Sequence, residues 1–203
     1  TNEAHVLVRL TADGALDTTF HGSLANAIAY TEGGNAQVIN AAAWIGDAEL
    51  DASSYAGASI TLSRHGGANA EDVFGASGAL GALVEGDTFT FNGVSLGTVT
   101  HNSGGQLVLT FNANAHGADV NNVLRALTYA NASQSPSTSL TLDWVFSDGN
   151  GGVQGGGGAK TGAGHTQVSV TSINDAPAFR STDGAQLVAS SNSEEGFTAL
   201  TMQ

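Results

Sequence analysis

Apolar and polar residues alternate along several short segments of the chain, and a period of two is typical of half-buried β-strands. The alternation runs through residues 27–30, 37–39, 58–62 and 165–170. It is longest over residues 139–146, where one face carries only apolar side chains: Leu140, Leu142, Trp144 and Phe146. We therefore predict a central strand over 139–146, with Trp144 buried in the core.

A β-hairpin is predicted over residues 88–100. Asn92-Gly93 supplies the two positive φ angles that a type I′ turn requires, and strand-like segments flank it. A further turn at residues 102–105 leads into an alternating segment over 106–111, so these strands should form a meander. Many short strands with regularly spaced turns predict an all-β fold, an antiparallel β-sandwich.

One segment breaks the strand pattern. Its apolar residues are spaced as on one face of a helix: Val120, Val123, Leu124 and Leu127. Asp119 precedes them and could serve as the N-cap. We predict one short helix that crosses the sandwich.

The composition agrees with a fold built from hairpins and excludes several kinds of partner. The 203 residues include 28 glycines and 2 prolines, so Gly, Asn, Asp and Ser must form the turns. A net charge of −13 repels phosphate backbones and anionic lipids, so nucleic acid and membrane-surface partners are not expected. No apolar run approaches the roughly 18–20 residues of a membrane-spanning helix, so membrane insertion is not expected either. The absence of cysteine excludes disulfides, thiolate metal sites and cysteine nucleophiles.

The chain divides into three predicted parts. Residues 26–178 should form a single β-sandwich, and the tails, residues 1–25 and 179–203, should be strand-like. The tails contain apolar runs that the sandwich does not need, at residues 6–8, 186–188 and 197–202. Because the chain opens on Thr1, we expect it to be a piece of a longer protein.

No arrangement of residues predicts an enzyme. The six histidines have no metal-binding spacing and are predicted to be separate surface residues: His5, His21, His65, His101, His116 and His165. No Gly-x-Ser-x-Gly motif occurs, and the glycine run before Lys160 lacks the glycine that a phosphate loop needs there. Asp143, in the middle of its strand, is predicted to be a solvated or cross-strand polar residue.

Five segments resemble, in the expected order, a bacterial cadherin-like repeat of large secreted adhesins. They lie at residues 30–32, 46–51 followed by 58–62, 124–131, 143–151 and 173–177. The most specific is the last, Ile-Asn-Asp-Ala-Pro after an alternating strand. The resemblance implies a cadherin-like or immunoglobulin-like Greek-key sandwich in an extracellular protein of the bacterial cell surface. It also implies that the module binds calcium.

The resemblance suggests calcium ligands at both ends of the module. The matching residues are Glu32, Asp47, Glu49, Asp148, Asn174 and Asp175. Calcium takes six to eight oxygen ligands, which acidic loops can supply. Residues 127–131 carry no carboxylate where animal cadherins have an acidic motif, so at least one site would be incomplete. Ordinary turn chemistry, in which Asp and Asn bond their own backbone, explains Asp148 equally well.

The N-terminal tail carries a second resemblance. Residues 8–20 are similar to the end of a delta-60 repeat, which forms β-propeller-like structures in large surface proteins. The C-terminal tail is similar to the start of another such repeat. Neither tail is long enough to close a propeller blade, so no propeller is predicted.

Three functions from different classes remain open. The leading one is a non-enzymatic, extracellular calcium-binding module for structure or adhesion, with neighbouring repeats as partners. The second is a self-assembling fibre subunit whose terminal strands complete a neighbouring copy's sheet. The third is a carbohydrate-binding domain for surface glycans, which depends on Trp44 as a stacking platform.

Overall fold

The structure is a computed structural model that describes residues 7–10, 16–150, 158–174, 179–180 and 186–187, with side chains for residues 24–150 and 158–174. The chain divides into two compact units, Thr1–Ile173 and Asn174–Gln203. Residues 151–157 of the glycine-rich segment before Lys160 and the predicted strand-like run at 197–202 lie outside the described residues.

The described residues are mostly β-strand. In chain order the elements are β1 Leu7–Leu10, β2 Leu16–Ser23, β3 Asn26–Thr31, β4 Gln37–Val38, β5 Trp44–Asp47, α1 Ala48–Asp51, β6 Ser59–Arg64, β7 Asp72–Ala76, β8 Thr88–Phe91, β9 Val94–Ser103, β10 Gln106–Phe111, α2 Gly117–Ala126, β11 Leu127–Asn131, β12 Ser139–Ser147, β13 Thr161–Thr171, β14 Phe179–Arg180 and β15 Gln186–Leu187. The prediction of an all-β, sandwich-like fold with a short helix is confirmed.

A seven-stranded sheet in the order β3-β13-β12-β6-β10-β9-β8 forms the main layer. Its pairs are antiparallel except one, since β3 runs parallel to β13 with Asn26 opposite Thr166 and Thr31 opposite Thr171. The prediction that all strands run antiparallel is therefore wrong for the pair β3–β13. A parallel pair needs a long connection, and the chain between these two strands supplies one.

A three-stranded sheet in the order β4-β11-β7 lies against the main layer. Tyr30 of β3 meets Tyr129 of β11 edge to face, with ring centroids 5.9 Å apart. A second three-stranded sheet pairs β1 with β2 and β2 with β5, so strands of the predicted N-terminal tail pair within their own chain. In the second unit, β14 pairs with β15.

The inner face of β12 confirms the strand prediction. Leu142, Trp144 and Phe146 are all fully buried, because alternate residues of a strand point to the same face. The Trp144 Nε1–H donates to Thr166 Oγ1 at 2.9 Å, which satisfies its polar group within the core. Trp144 is therefore a core residue.

The predicted meander is also confirmed. Asn92 has φ 50° and Gly93 has φ 80°, which are the positive angles of a type I′ turn, and Phe91 pairs with Val94 across it. β10 then pairs with β9 on its other side, from Gln106 opposite Ser103.

Helix α2 begins earlier than predicted. Its N-cap is His116, and Asp119 lies in the first turn, where its Oδ2 accepts a hydrogen bond from the His116 N–H at 3.2 Å. A carboxylate at this position reaches back to the cap, which explains why Asp119 is not the cap itself. Leu127 follows the helix and begins β11. Within the described part of the chain, neither helix has the length and apolar character needed to cross a bilayer.

Candidate functional site

Four of the predicted ligands, Glu32, Asp47, Glu49 and Asp148, lie at two opposite ends of the seven-stranded sheet. At one end Ser147 of β12 pairs with Thr161, where β13 begins. At the other end Thr171, the last residue of β13, pairs with Thr31 of β3. Ten residue steps of roughly 3.3 Å separate these ends by about 33 Å. We refer to them as the Asp148 end and the Glu32 end, after the carboxylate that follows β12 or β3.

Glu32 directly follows β3 and is 3% exposed. Its backbone N–H donates to the Thr171 carbonyl at 3.0 Å, and its Oε2 accepts a hydrogen bond from the Ile173 N–H at 2.9 Å. Its Oε1 is buried and has no hydrogen-bond partner. A buried carboxylate oxygen without a partner is costly, and a bound cation would remove that cost.

The two other predicted ligands near this point of the chain are Asn174 and Asp175. Asn174 is exposed and opens the second unit. Asp175 lies outside the described residues. In sequence, both follow Ile173, whose amide holds the Glu32 carboxylate. Their roles as ligands stay predictions.

Asp47 is a helix cap at the Asp148 end. It is buried, and its Oδ1 accepts hydrogen bonds from the Glu49 N–H at 3.1 Å and the Leu50 N–H at 3.2 Å. This is the usual function of an aspartate at the N-cap of a helix, here α1. Glu49 lies in the first turn of the same helix with its side chain exposed.

Asp148 is 5% exposed and organises the turn after β12. Its Oδ1 accepts hydrogen bonds from the Asn150 N–H at 3.1 Å and the Lys160 N–H at 2.8 Å. Gly149 has φ 71°, and a Cβ there would collide with the Gly57 carbonyl oxygen. The bond from Asn150 is the one that turn chemistry predicts for Asp148, and the bond from Lys160 comes from a residue twelve positions away. This oxygen therefore already has backbone donors.

Two hydrogen-bonded carboxylates, one buried and one exposed, were not singled out from the sequence. Asp72, at the start of β7, has a fully buried side chain and accepts two hydrogen bonds from Arg64, at 2.7 and 2.9 Å. It also accepts from the Tyr129 hydroxyl at 2.8 Å and from Asn131 at 3.3 Å. The Asp72 carboxylate raises the pKa of Arg64, mainly through the hydrogen bond between them.

The second of these carboxylates, Asp51, lies in helix α1. It accepts a hydrogen bond from the Tyr55 hydroxyl at 2.7 Å. Burial raises the pKa of Tyr55, and the Asp51 carboxylate raises it further. Burial also raises the pKa of Tyr129, although Asn131 and the Arg64 charge act in the opposite direction. Each end of the sheet therefore has a tyrosine bonded to an aspartate.

The residues described with side chains offer no exposed aromatic platform for a sugar. The large apolar residues that are exposed there are all aliphatic: Val73, Val84, Val94, Val145 and Ile173. Trp44, which the carbohydrate hypothesis requires, is half-buried in β5. Ring stacking on Trp44 would use only the part of the indole that remains accessible.

Comparisons with known proteins identify no relative. No protein-family model, no curated protein and no solved structure matches the chain. The cadherin-like interpretation therefore depends on the sequence segments described above and stays a prediction.

Proposed function

We propose that the chain is a non-enzymatic, extracellular calcium-binding module that provides structure or adhesion in a large bacterial surface protein. The observation that carries the proposal is the buried Glu32 carboxylate, whose Oε1 lacks a hydrogen-bond partner. Calcium prefers carboxylate oxygen ligands such as Glu32 Oε1. A neutral hydrogen-bond donor would compensate the charge of this buried carboxylate less well than a cation would.

The surroundings of Glu32 support this proposal. The Ile173 amide fixes the carboxylate through Oε2, so that Oε1 is left available to a ligand. The cadherin-like resemblance also gives Asn174 and Asp175, the next two residues in sequence after Ile173, as candidate calcium ligands. Bound calcium would also reduce the self-repulsion of a chain with a net charge of −13.

The proposed partners are neighbouring repeats in the same surface protein. The fibre-subunit alternative receives less support, because β2 pairs with β5 of its own chain through residues 20–23. A strand already paired in this way has fewer free backbone groups with which to complete another copy's sheet.

Thermal unfolding in excess calcium and in a chelator tests the proposal. A ligand at 100 times its Kd stabilises the folded state by about 2.7 kcal/mol, which is roughly 5–10 °C in Tm for a chain of this size. Glu32→Gln should abolish this increase, and its Tm in chelator should equal or exceed that of the unsubstituted protein because a buried unpaired charge is removed.

Glu85→Gln is the matched control, since it makes the same substitution at an exposed carboxylate that is not among the predicted ligands. It should leave the calcium response unchanged. Identical melting curves with calcium and chelator would contradict the proposal, as would an equal loss of the response in both variants.

A further inference from the structure

We propose that His65, Asp143 and His165 bind a divalent transition-metal ion of the zinc class on the outer face of the seven-stranded sheet. This site is independent of the carboxylates at the two ends of the sheet. Its nitrogen ligands also separate it chemically from a calcium site, which is built from oxygen.

Strand register brings the three side chains together. Asp143 of β12 lies directly opposite His165 of β13 on one side and opposite Ser63 of β6 on the other. His65 follows the end of β6, and its backbone N–H donates to the Thr141 carbonyl at 2.8 Å. Because Asp143 is adjacent in sequence to the buried Trp144, its side chain points to the opposite, outer face.

The ligand atoms are already clustered around one carboxylate. His165 Nδ1 lies 2.7 Å from Asp143 Oδ1, and His65 Nδ1 lies 3.0 Å from Oδ2. One ligand atom from each residue can be chosen so that all lie within 4.8 Å of one another. The two imidazole rings meet edge to face, with centroids 5.8 Å apart.

Small movements convert this cluster into a metal site. Zinc binds histidine nitrogen and carboxylate oxygen at about 2.0–2.2 Å, so tetrahedral ligand atoms lie roughly 3.4 Å apart. The side chains of His65 and His165 are 66% and 58% exposed, and their rings can rotate without disturbing the core. The ion would take the place of the two hydrogen-bond protons between imidazole and carboxylate, and each ring would carry its proton on Nε2.

The charge at this position favours a cation. Within residues 24–150 and 158–174, Asp143 forms ion pairs with the two histidines but with no arginine or lysine. Arg64, next to His65 in sequence, is bonded to Asp72 instead. Two imidazoles and one carboxylate match the ligand preference of zinc, copper and nickel, and water or a neighbouring group would complete the coordination.

Calorimetric titration of the untagged full chain with zinc chloride tests the site. The protein should bind one ion at this cluster. His65→Gln and His165→Gln should each weaken zinc binding at least tenfold, and Asp143→Asn should also weaken it. Millimolar calcium should not displace the zinc. Glu32→Gln should also leave zinc binding unchanged, so the zinc site can be tested separately from the calcium proposal.

His101→Gln is the matched control. His101 is also an exposed histidine beside a carboxylate, with its Nδ1 3.3 Å from Glu85 Oε2. With one carboxylate and no second histidine, His101 should bind zinc no better than a solitary surface histidine. His101→Gln should therefore leave the zinc affinity of the His65–Asp143–His165 site unchanged. Equal weakening by His101→Gln would overturn the proposal, as would unchanged affinity in the His65→Gln/His165→Gln double variant.

Imidazole nitrogen chemical shifts provide a second measurement on the unsubstituted protein. Added zinc should shift the Nδ1 resonances of His65 and His165 before that of His101. This result does not require any variant to fold. Zinc-induced shifts spread equally over all histidines would contradict the site.

Discussion

The buried carboxylates at the two ends of the seven-stranded sheet accept hydrogen bonds from different kinds of donor. At the Asp148 end, Asp47 and Asp148 accept hydrogen bonds from backbone amides of nearby residues. At the Glu32 end, Asp72 is bonded by side chains, including the charged Arg64. Glu32 has a backbone donor for one oxygen and no partner for the other.

This difference indicates which carboxylates hold the fold together and which remain available to a ligand. A backbone amide that loses its acceptor is a neutral group, whereas an arginine that loses its partner becomes an uncompensated charge. The same substitution should therefore have unequal effects at the two ends. Glu32, which is incompletely bonded, is the position where an added cation has most to contribute.

The largest effect is expected at Asp72. Asp72→Asn should lower the free energy of unfolding by about 3–5 kcal/mol, because it leaves the Arg64 guanidinium without its buried counter-charge. Urea unfolding in chelator measures this change. Glu71→Gln is the control, since Glu71 is 3.6 Å from Arg64 and more exposed, and it should cost less than about 1 kcal/mol. Equal losses of unfolding free energy in the two variants would mean that the buried pair with Asp72 and the exposed pair with Glu71 contribute alike.

A smaller effect is expected from the same substitution at the other end. Asp148→Asn should cost about 1–2 kcal/mol, because the amide oxygen can still accept from Asn150 and Lys160, but in weaker, neutral hydrogen bonds. The calcium response should remain. A cost as large as that of Asp72→Asn, measured by the same urea unfolding, would contradict the contrast between the ends.

Alkaline unfolding tests two of the three buried tyrosines, Tyr55 and Tyr129. The pKa values of both are raised above the ordinary value of 10, first by burial. Because the folded state keeps these protons, their contribution to stability is fully present below pH 10 and falls as the pH rises above 10. Both hydroxyls should therefore ionise as the chain unfolds, so tyrosinate absorbance and far-ultraviolet circular dichroism should change together as the pH is raised.

Phenylalanine variants test whether these hydroxyls contribute to alkaline instability. Tyr55→Phe should cost about 1 kcal/mol at neutral pH through the lost hydrogen bond to Asp51. Its stability in urea should then fall less above pH 10 than that of the unsubstituted protein, and Tyr129→Phe should behave in the same way. An unchanged pH dependence in both variants would contradict the contribution of these protons.

The smallest effect is expected at Glu85, an exposed carboxylate near the Glu32 end. The Asn102 N–H, 2.8 Å away, lowers its pKa from the ordinary 4.5, with a further contribution from the Ser103 hydroxyl. This stabilisation is present above pH 4.5 and is lost as the pH falls through the lowered pKa. Glu85→Gln should therefore lose less stability on acidification than the unsubstituted protein, as measured by urea unfolding. Parallel pH curves would exclude this contribution.

The elements that the sequence predicts well are those set by local rules. The apolar face of 139–146 identified the buried Trp144, and Asn92-Gly93 identified its hairpin because few residues accept positive φ. Strand β7 was not predicted, since its position depends on pairing with β11. Likewise, the parallel partner of β3 is separated from it by most of the chain, and no local pattern encodes that pairing.

The candidate sites follow the same division. The bond from Asn150 to Asp148 could be predicted because its donor is two residues away, whereas the bond from Lys160 could not. Asp143 was correctly predicted to be a polar residue of its strand, but its two histidines were treated as separate surface residues. His65 and His165 meet only through the register of three strands, which histidine spacing along the chain does not reveal.

The parallel pairing of β3 with β13 determines how the first unit responds to mechanical tension. The six register pairs run from Asn26–Thr166 to Thr31–Thr171. A pull applied before Asn26 and after Thr171 acts on opposite ends of this pair. The force is directed along the strands, so the hydrogen bonds between them are sheared together and do not open one after another. Such a pull would load all six register pairs of β3 and β13 at once.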